Sequence, residues 1–126
     1  MTEFVMDAYA WIELLDGSVK GQRVKKILDE HTCFTSAVTL AEVVSKTKRK
    51  NQDPQIAFEA VTLSSQILPV ADELALQAGM IHAEQKAKDK KFGLADAFIL
   101  ASRKKKQKIL TGDPHFKGIP NVEFLE

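Results

Sequence analysis

The 126-residue chain is 44% hydrophobic and 28% charged, with a formal net charge of +1. That describes one ordinary globular domain, residues 1–126, long enough for a proper core, and it excludes polyanion recognition by global charge. The single cysteine, Cys33, excludes an internal disulfide and is expected to pack as a small hydrophobe, and no Cys/His spacing suggests zinc.

The N-terminus is apolar but interrupted by Glu3, Asp7 and Glu13, so it does not read as a signal peptide. No run is long enough to span a membrane, and a cytosolic location is expected. Phe4 to Met6 read as a short buried strand. A helical segment with Trp11, Ile12, Leu14 and Leu15 follows, and Asp16-Gly17-Ser18 breaks it. Residues 19 to 30 read as an amphipathic helix, with Val24, Ile27 and Leu28 inward and Lys20, Arg23 and Lys26 outward. Thr32 to Thr35 have strand composition, and a helix is expected from about residue 40 to 50. Asp53-Pro54 is a helix start, with Asp as cap and Pro at the first helical position. The helix it opens carries Ile56, Ala57, Ala60, Val61 and Leu63.

Ile67-Leu68-Pro69-Val70 reads as a strand that Pro69 assigns to a sheet edge. From Ala71 to about Lys90 a long helical pattern puts Leu74, Ala78, Ile81 and Gln85 along one side, and Gly93 punctuates it. A further helix runs from about Leu94 to Lys104, and Lys108 to Thr111 and Val122 to Leu125 read as the last strands. Strands alternating with helices imply a mostly parallel sheet with right-handed crossovers. The fold predicted is a three-layer α/β/α sandwich of about five strands.

Asp7, Glu42, Asp96 and Asp113 all fall at predicted strand-to-helix transitions or in first helical turns. In open α/β sheets, ligands bind at the carboxyl ends of strands, where helices begin. Each acid also has a plain role as a cap. Thr39-Leu40-Ala41-Glu42 fits a capping box, Asp113-Pro114 a helix start, Asp96 a first-turn acid, and Asp7 a cap of the Trp11 helix. Jointly they are harder to explain so. Two carboxylates about 4 Å apart at an effective dielectric near 20 repel by roughly 4 kcal/mol. A cluster of four needs protons or a hard cation, and an oxygen-only set suits Mg²⁺ or Mn²⁺.

Phe4-Val5-Met6-Asp7-Ala8-Tyr9-Ala10 resembles the first strand and acid of PIN-domain nucleases. Thr39-Leu40-Ala41-Glu42-Val43 resembles their second acidic motif, and Gly93-Leu94-Ala95-Asp96-Ala97-Phe98-Ile99-Leu100-Ala101 their third. Leu110-Thr111-Gly112-Asp113-Pro114-His115-Phe116 is similar to the fourth. Each motif is weak alone; the four in order, covering residues 4 to 125, are fairly specific. The resemblance implies a metal-dependent ribonuclease in which Asp7, Glu42, Asp96 and Asp113 hold one or two Mg²⁺ or Mn²⁺ ions and the Thr111 hydroxyl orients the site. It implies attack of a metal-activated water on the phosphodiester, leaving a 5′-phosphate and a 3′-hydroxyl. Tyr9 departs from the pattern, since family members often carry a small hydroxyl or amide residue there; its hydroxyl either reaches the site or points into the core. His115 is the one candidate auxiliary, although a histidine after Asp-Pro is more often a surface turn residue. His31 and His82 have no motif context.

Lys46, Lys48, Arg49 and Lys50, and again Arg103 to Lys106, end helices, where cations complement the dipole. Lys86, Lys88, Lys90 and Lys91 lead into the third motif and are the better candidates for RNA-phosphate contacts. Short chains of this kind most resemble VapC-type toxins, which implies a cognate antitoxin and a homodimer. Two alternatives stand beside this: a housekeeping RNA-processing nuclease with the same site, and a non-catalytic α/β binding domain whose acids are only caps. An aspartyl phosphatase is disfavoured because Tyr9 stands where a second Asp is needed, and a receiver domain because no paired acids follow the first strand.

Overall fold

The computed structural model describes residues 2–126. Five strands, β1 (Glu3–Met6), β2 (Thr32–Ser36), β3 (Gln66–Leu68), β4 (Lys108–Thr111) and β5 (Val122–Phe124), form one sheet in the order β3-β2-β1-β4-β5. Every pairing is parallel. Six helices cover it: α1 (Ala8–Asp16), α2 (Val19–Glu30), α3 (Ala37–Arg49), α4 (Pro54–Ser64), α5 (Asp72–Lys88) and α6 (Leu94–Ser102). This is the predicted α/β/α sandwich, with β3 at an edge and Pro69 just beyond it. None of these helices is long and apolar enough to cross a membrane.

The two-residue period of a strand divides the core. Phe4, Met6 and Leu110 pack with Trp11, Val24, Val43 and Val61 of the helices α1 to α4. Val5 and Ile109 turn to the other face and meet Ile99 of α6 and Phe116. Burying a side chain of this size stabilises the fold by about 1.5–3 kcal/mol. On α5 the predicted stripe of Leu74, Ala78, Ile81 and Gln85 is the covered side, with Ala78 fully buried, while Leu76 and Met80 are exposed. Cys33 is buried in the first core, as its composition predicts.

Local signals set most boundaries. Gly17 ends α1 in the left-handed conformation (φ 68°), and Ser18 caps α2 by accepting from the Gly21 N–H at 3.0 Å. Asp53 caps α4, with Pro54 at its first position. One expectation fails: α3 starts at Ala37, not near residue 40, and its cap is Ser36, whose Oγ accepts from the Val38 N–H at 3.2 Å. The Thr39–Glu42 capping box therefore does not form. Thr39 is fully buried in the first turn, and its hydroxyl has no hydrogen-bond partner among the described residues.

Gly21 lets α2 cross α1 closely. A Cβ there would stand 2.1 Å from the Glu13 carbonyl oxygen and 2.9 Å from the Leu14 Cα. These are backbone atoms, so the helices would have to part. Gly21→Ala is expected to destabilise the chain by about 1–3 kcal/mol, the usual cost of overpacking, as read by urea denaturation.

Candidate active site

The sheet register builds the site. Met6 pairs with Leu110, so the next residues, Asp7 and Thr111, leave the carboxyl ends of adjacent central strands side by side. The Thr111 hydroxyl donates to Asp7 Oδ2 at 2.7 Å and accepts from the Asp113 N–H at 2.9 Å. One buried side chain thus fixes the rotamer of one acid and the backbone of another. Asp7 Oδ1 accepts from the Ala8 N–H at 2.8 Å, and Asp113 Oδ1 accepts from the His115 N–H at 2.9 Å, opening the turn Pro114–Phe116. Asp96 reaches back from the first turn of α6 to accept from the Gly93 N–H at 3.0 Å. Three of the four acids are therefore caps or first-turn acceptors, and those positions bring them to one edge of the sheet.

The carboxylates act on one another. Asp7 is 3% exposed. Its burial raises its pKa from 3.8 to about 7; the Thr111 hydrogen bond opposes this, while the charges of Asp96, Glu42 and Asp113 add to it. Glu42 is half-buried on α3, and burial raises its pKa as well. Lys46 and Arg49, one and two turns along α3, work against that rise, and Asp96 and Asp113 reinforce it. All four predicted acids are thus within electrostatic reach of one another. A buried carboxylate whose ionisation is opposed by three others suits a hard divalent cation bound through oxygen.

His115 belongs to the cluster more firmly than its sequence context suggests. Its Nδ1 stands 3.1 Å from Asp96 Oδ2 and 3.5 Å from Asp113 Oδ1, and its Nε2 lies 3.9 Å from Asp89 Oδ2. Asp96, Asp113 and His115 each offer one ligand atom within 4.8 Å of the others. Burial lowers the His115 pKa, but the Asp96 hydrogen bond and the charges of Asp113, Asp96 and Asp89 outweigh it, so the net shift is upward. The signal was the Asp-Pro-His order: an Asp that caps the amide two residues on holds that residue's ring beside its own carboxylate.

The basic candidates separate. Lys86 is engaged with the Lys90 carbonyl at 2.8 Å, and Lys90 and Lys91 are exposed. Lys88 lines a groove of about 630 Å³ with Arg103, Lys117 and His115, and of these His115 touches Asp96 and Asp113. Lys46 and Arg49, which their position assigns to the helix dipole, stand near Glu42 instead. The Tyr9 ring packs against the first core, while its hydroxyl accepts from Lys20 Nζ at 2.8 Å rather than bonding to one of the acids.

Thr111→Val keeps the shape and removes both hydrogen bonds of the hydroxyl. It is expected to raise the Asp7 pKa further, because the Thr111 hydrogen bond opposes the effect of burial. An NMR titration of the Asp7 carboxyl in both proteins checks this.

A parallel α/β/α sheet with carboxylates gathered at the carboxyl ends of β1 and β4 defines a class of acidic-site domains. The PIN domain family model matches residues 4–122, and the chain belongs to that family. Among solved structures, it is similar to a toxin–antitoxin complex from Klebsiella pneumoniae, with a TM-score of 0.75 and 24% identity over 97% of each chain. It also resembles the sarcin–ricin loop cleaving toxin VapC20 of Mycobacterium tuberculosis, with a TM-score of 0.76 and 18% identity over 98% of this chain and 99% of that one. DNA-bound VapBC from Salmonella typhimurium gives 0.72 and 19% over 100% of both chains. At these identities the likeness establishes the fold. No curated protein matches the sequence.

Proposed function

We propose that residues 1–126 work as one metal-dependent endoribonuclease domain, the toxin of a toxin–antitoxin pair. The observation that carries this is the buried Asp7, hydrogen-bonded to Thr111 and opposed by Asp96, Glu42 and Asp113. Asp7, Glu42, Asp96 and Asp113 would hold Mg²⁺ or Mn²⁺, with Thr111 holding Asp7 and Asp113 in place. A cation bound there lowers the pKa of a water and stabilises charge on phosphoryl oxygens. The chain's own residues do the rest. His115 stands at the rim between Asp96 and Asp113, 3.1 Å from Asp96 Oδ2 and 3.5 Å from Asp113 Oδ1. Lys46, Arg49 and Lys88 draw the RNA backbone towards the acids without reading sequence.

Family membership and the solved relatives found as toxin–antitoxin complexes support the toxin role and a cognate antitoxin as partner. Exposed Ile56 and Leu63 on α4 and Leu76 and Met80 on α5 give apolar faces for an antitoxin and a second copy. The test is RNA cleavage in Mg²⁺, Mn²⁺ or EDTA. Cleavage in either cation that stops in EDTA is expected, and cleavage that survives EDTA overturns the metal mechanism. Expression alone is expected to arrest growth; tolerated expression with maturation of a precursor RNA would point to a processing enzyme.

A further inference from the structure

Tyr9 and Lys20 lie outside the machinery assigned above, yet they border it. Tyr9 is half-buried on the first turn of α1, two residues after Asp7. Its ring lies against the main chain of Gly112, where an added Cβ would stand 2.3 Å from Cε1 and 2.6 Å from Cζ. Gly112 separates Thr111 from Asp113, so only glycine lets the ring come this close to the acids. Lys20 Nζ donates to the Tyr9 hydroxyl at 2.8 Å and stands 5.4 Å from the ring centroid. A lysine whose partner is a neutral phenol keeps its charge and two further donors. Glu13 and Glu126 act on that ammonium through space, and among the described residues neither forms an ion pair with it. An aromatic ring and a free cation thus share one edge of an anionic site.

We propose that Tyr9 and Lys20 form a nucleotide subsite on the α1 side of the acids, the ring stacking on an RNA base and the ammonium holding the adjoining phosphate. The subsite rests on the ribonuclease reading. Stacking on an aromatic ring tolerates any base, and a lysine grips phosphate as a point charge. Helices α1 and α2 pack in the first core, whereas the Lys88 groove lies against α5 and α6. A strand crossing the acids is therefore held on both sides, which fixes the scissile phosphate between them. The large residue at position 9, where relatives often carry a small one, gains a function here.

The experiment measures binding of a fluorescent single-stranded oligoribonucleotide to the full chain carrying Asp96→Asn, in Mg²⁺, so that affinity is read without turnover. Adding Tyr9→Leu, which keeps apolar bulk against Gly112, is expected to weaken binding about tenfold. Tyr9→Phe should retain most of the affinity, because the ring remains. Adding Lys20→Gln should weaken binding severalfold and reduce the salt dependence by about one ion. Melting curves verify folding; should Tyr9→Leu unfold, Lys20→Gln decides, being remote from Gly112. Unchanged affinity in Tyr9→Leu and in Lys20→Gln, with RNA still bound and the parent chain still cleaving it, overturns the subsite alone. Failure of the parent to cleave and of Asp96→Asn to bind overturns the ribonuclease reading, and the subsite with it.

Discussion

Asp96→Asn is expected to lower RNA cleavage by at least about a hundredfold, since losing even an outer partner of a metal ligand costs 10- to 100-fold. The fold should survive. Asp96 Oδ2 accepts the Gly93 N–H at 3.0 Å, and an asparagine carbonyl oxygen can accept the same bond. What changes is the charge. The substitution removes one anion from the set acting on Asp7 and Glu42, and one oxygen anion from the group it forms with Asp113 and His115. In cells the variant should relieve the growth arrest expected of the parent chain. The measurement is single-turnover cleavage of an RNA substrate beside circular dichroism of both proteins. Equal rates in the two folded proteins would remove Asp96 from the chemistry.

The metal-free chain should lose stability between about pH 4 and pH 7, and Asp7→Asn should remove the largest part of that loss, leaving the smaller contributions of Glu42 and His115. The pKa of Asp7 rises from 3.8 to about 7 on folding, chiefly by burial. Below pH 4 the carboxyl is protonated in both folded and unfolded chains and contributes nothing to the difference. As pH rises towards 7 the unfolded chain gives up its proton while the folded chain keeps it, and above 7 the folded chain must bear a buried charge. The folded state binds more protons in this window, so its stability falls with rising pH. At about 1.4 kcal/mol per unit, the cost is on the order of 4 kcal/mol. Asp7→Asn leaves an acceptor for the Ala8 N–H and a neutral group at the same place. In EDTA at pH 8 it should therefore melt at a higher temperature than the parent, while cleaving no RNA. Near pH 4 the two should melt alike. Comparing the pair isolates Asp7 from the other carboxylates, and a difference independent of pH would refute its assignment. Mn²⁺ should restore the parent's stability at pH 8, because a ligand of the folded state stabilises it by mass action.

Much of the fold was legible because the punctuation is local. Ser18 after Asp16-Gly17, and Asp53-Pro54, set the starts of α2 and α4 where they were predicted. Pro69 marked the edge strand. The start of α3 departs from the expected one because two cap patterns compete within seven residues. Ser36 wins because it ends β2 in an extended conformation with its side chain free to fold over the next turn, whereas Thr39 is packed inside. The acids themselves were visible as helix starts. Their meeting was not, since the Thr111 to Asp7 bond joins residues 104 apart and depends on β4 lying beside β1. For His115 only the Asp113 contact is local; its contact with Asp96, like that of Tyr9 with Gly112, joins residues far apart in the chain.

Calorimetric titration of Mn²⁺ into the metal-free chain tests the shared site most directly, because it needs neither RNA nor a partner. We expect saturable binding to the parent at pH 6.5, with protons released as Asp7 ionises and a heat that varies with the buffer's own ionisation enthalpy. Asp7→Asn and Asp96→Asn should each lose that binding while staying folded. No binding to the parent, or binding that both variants keep, would contradict a metal centre built from Asp7, Glu42, Asp96 and Asp113.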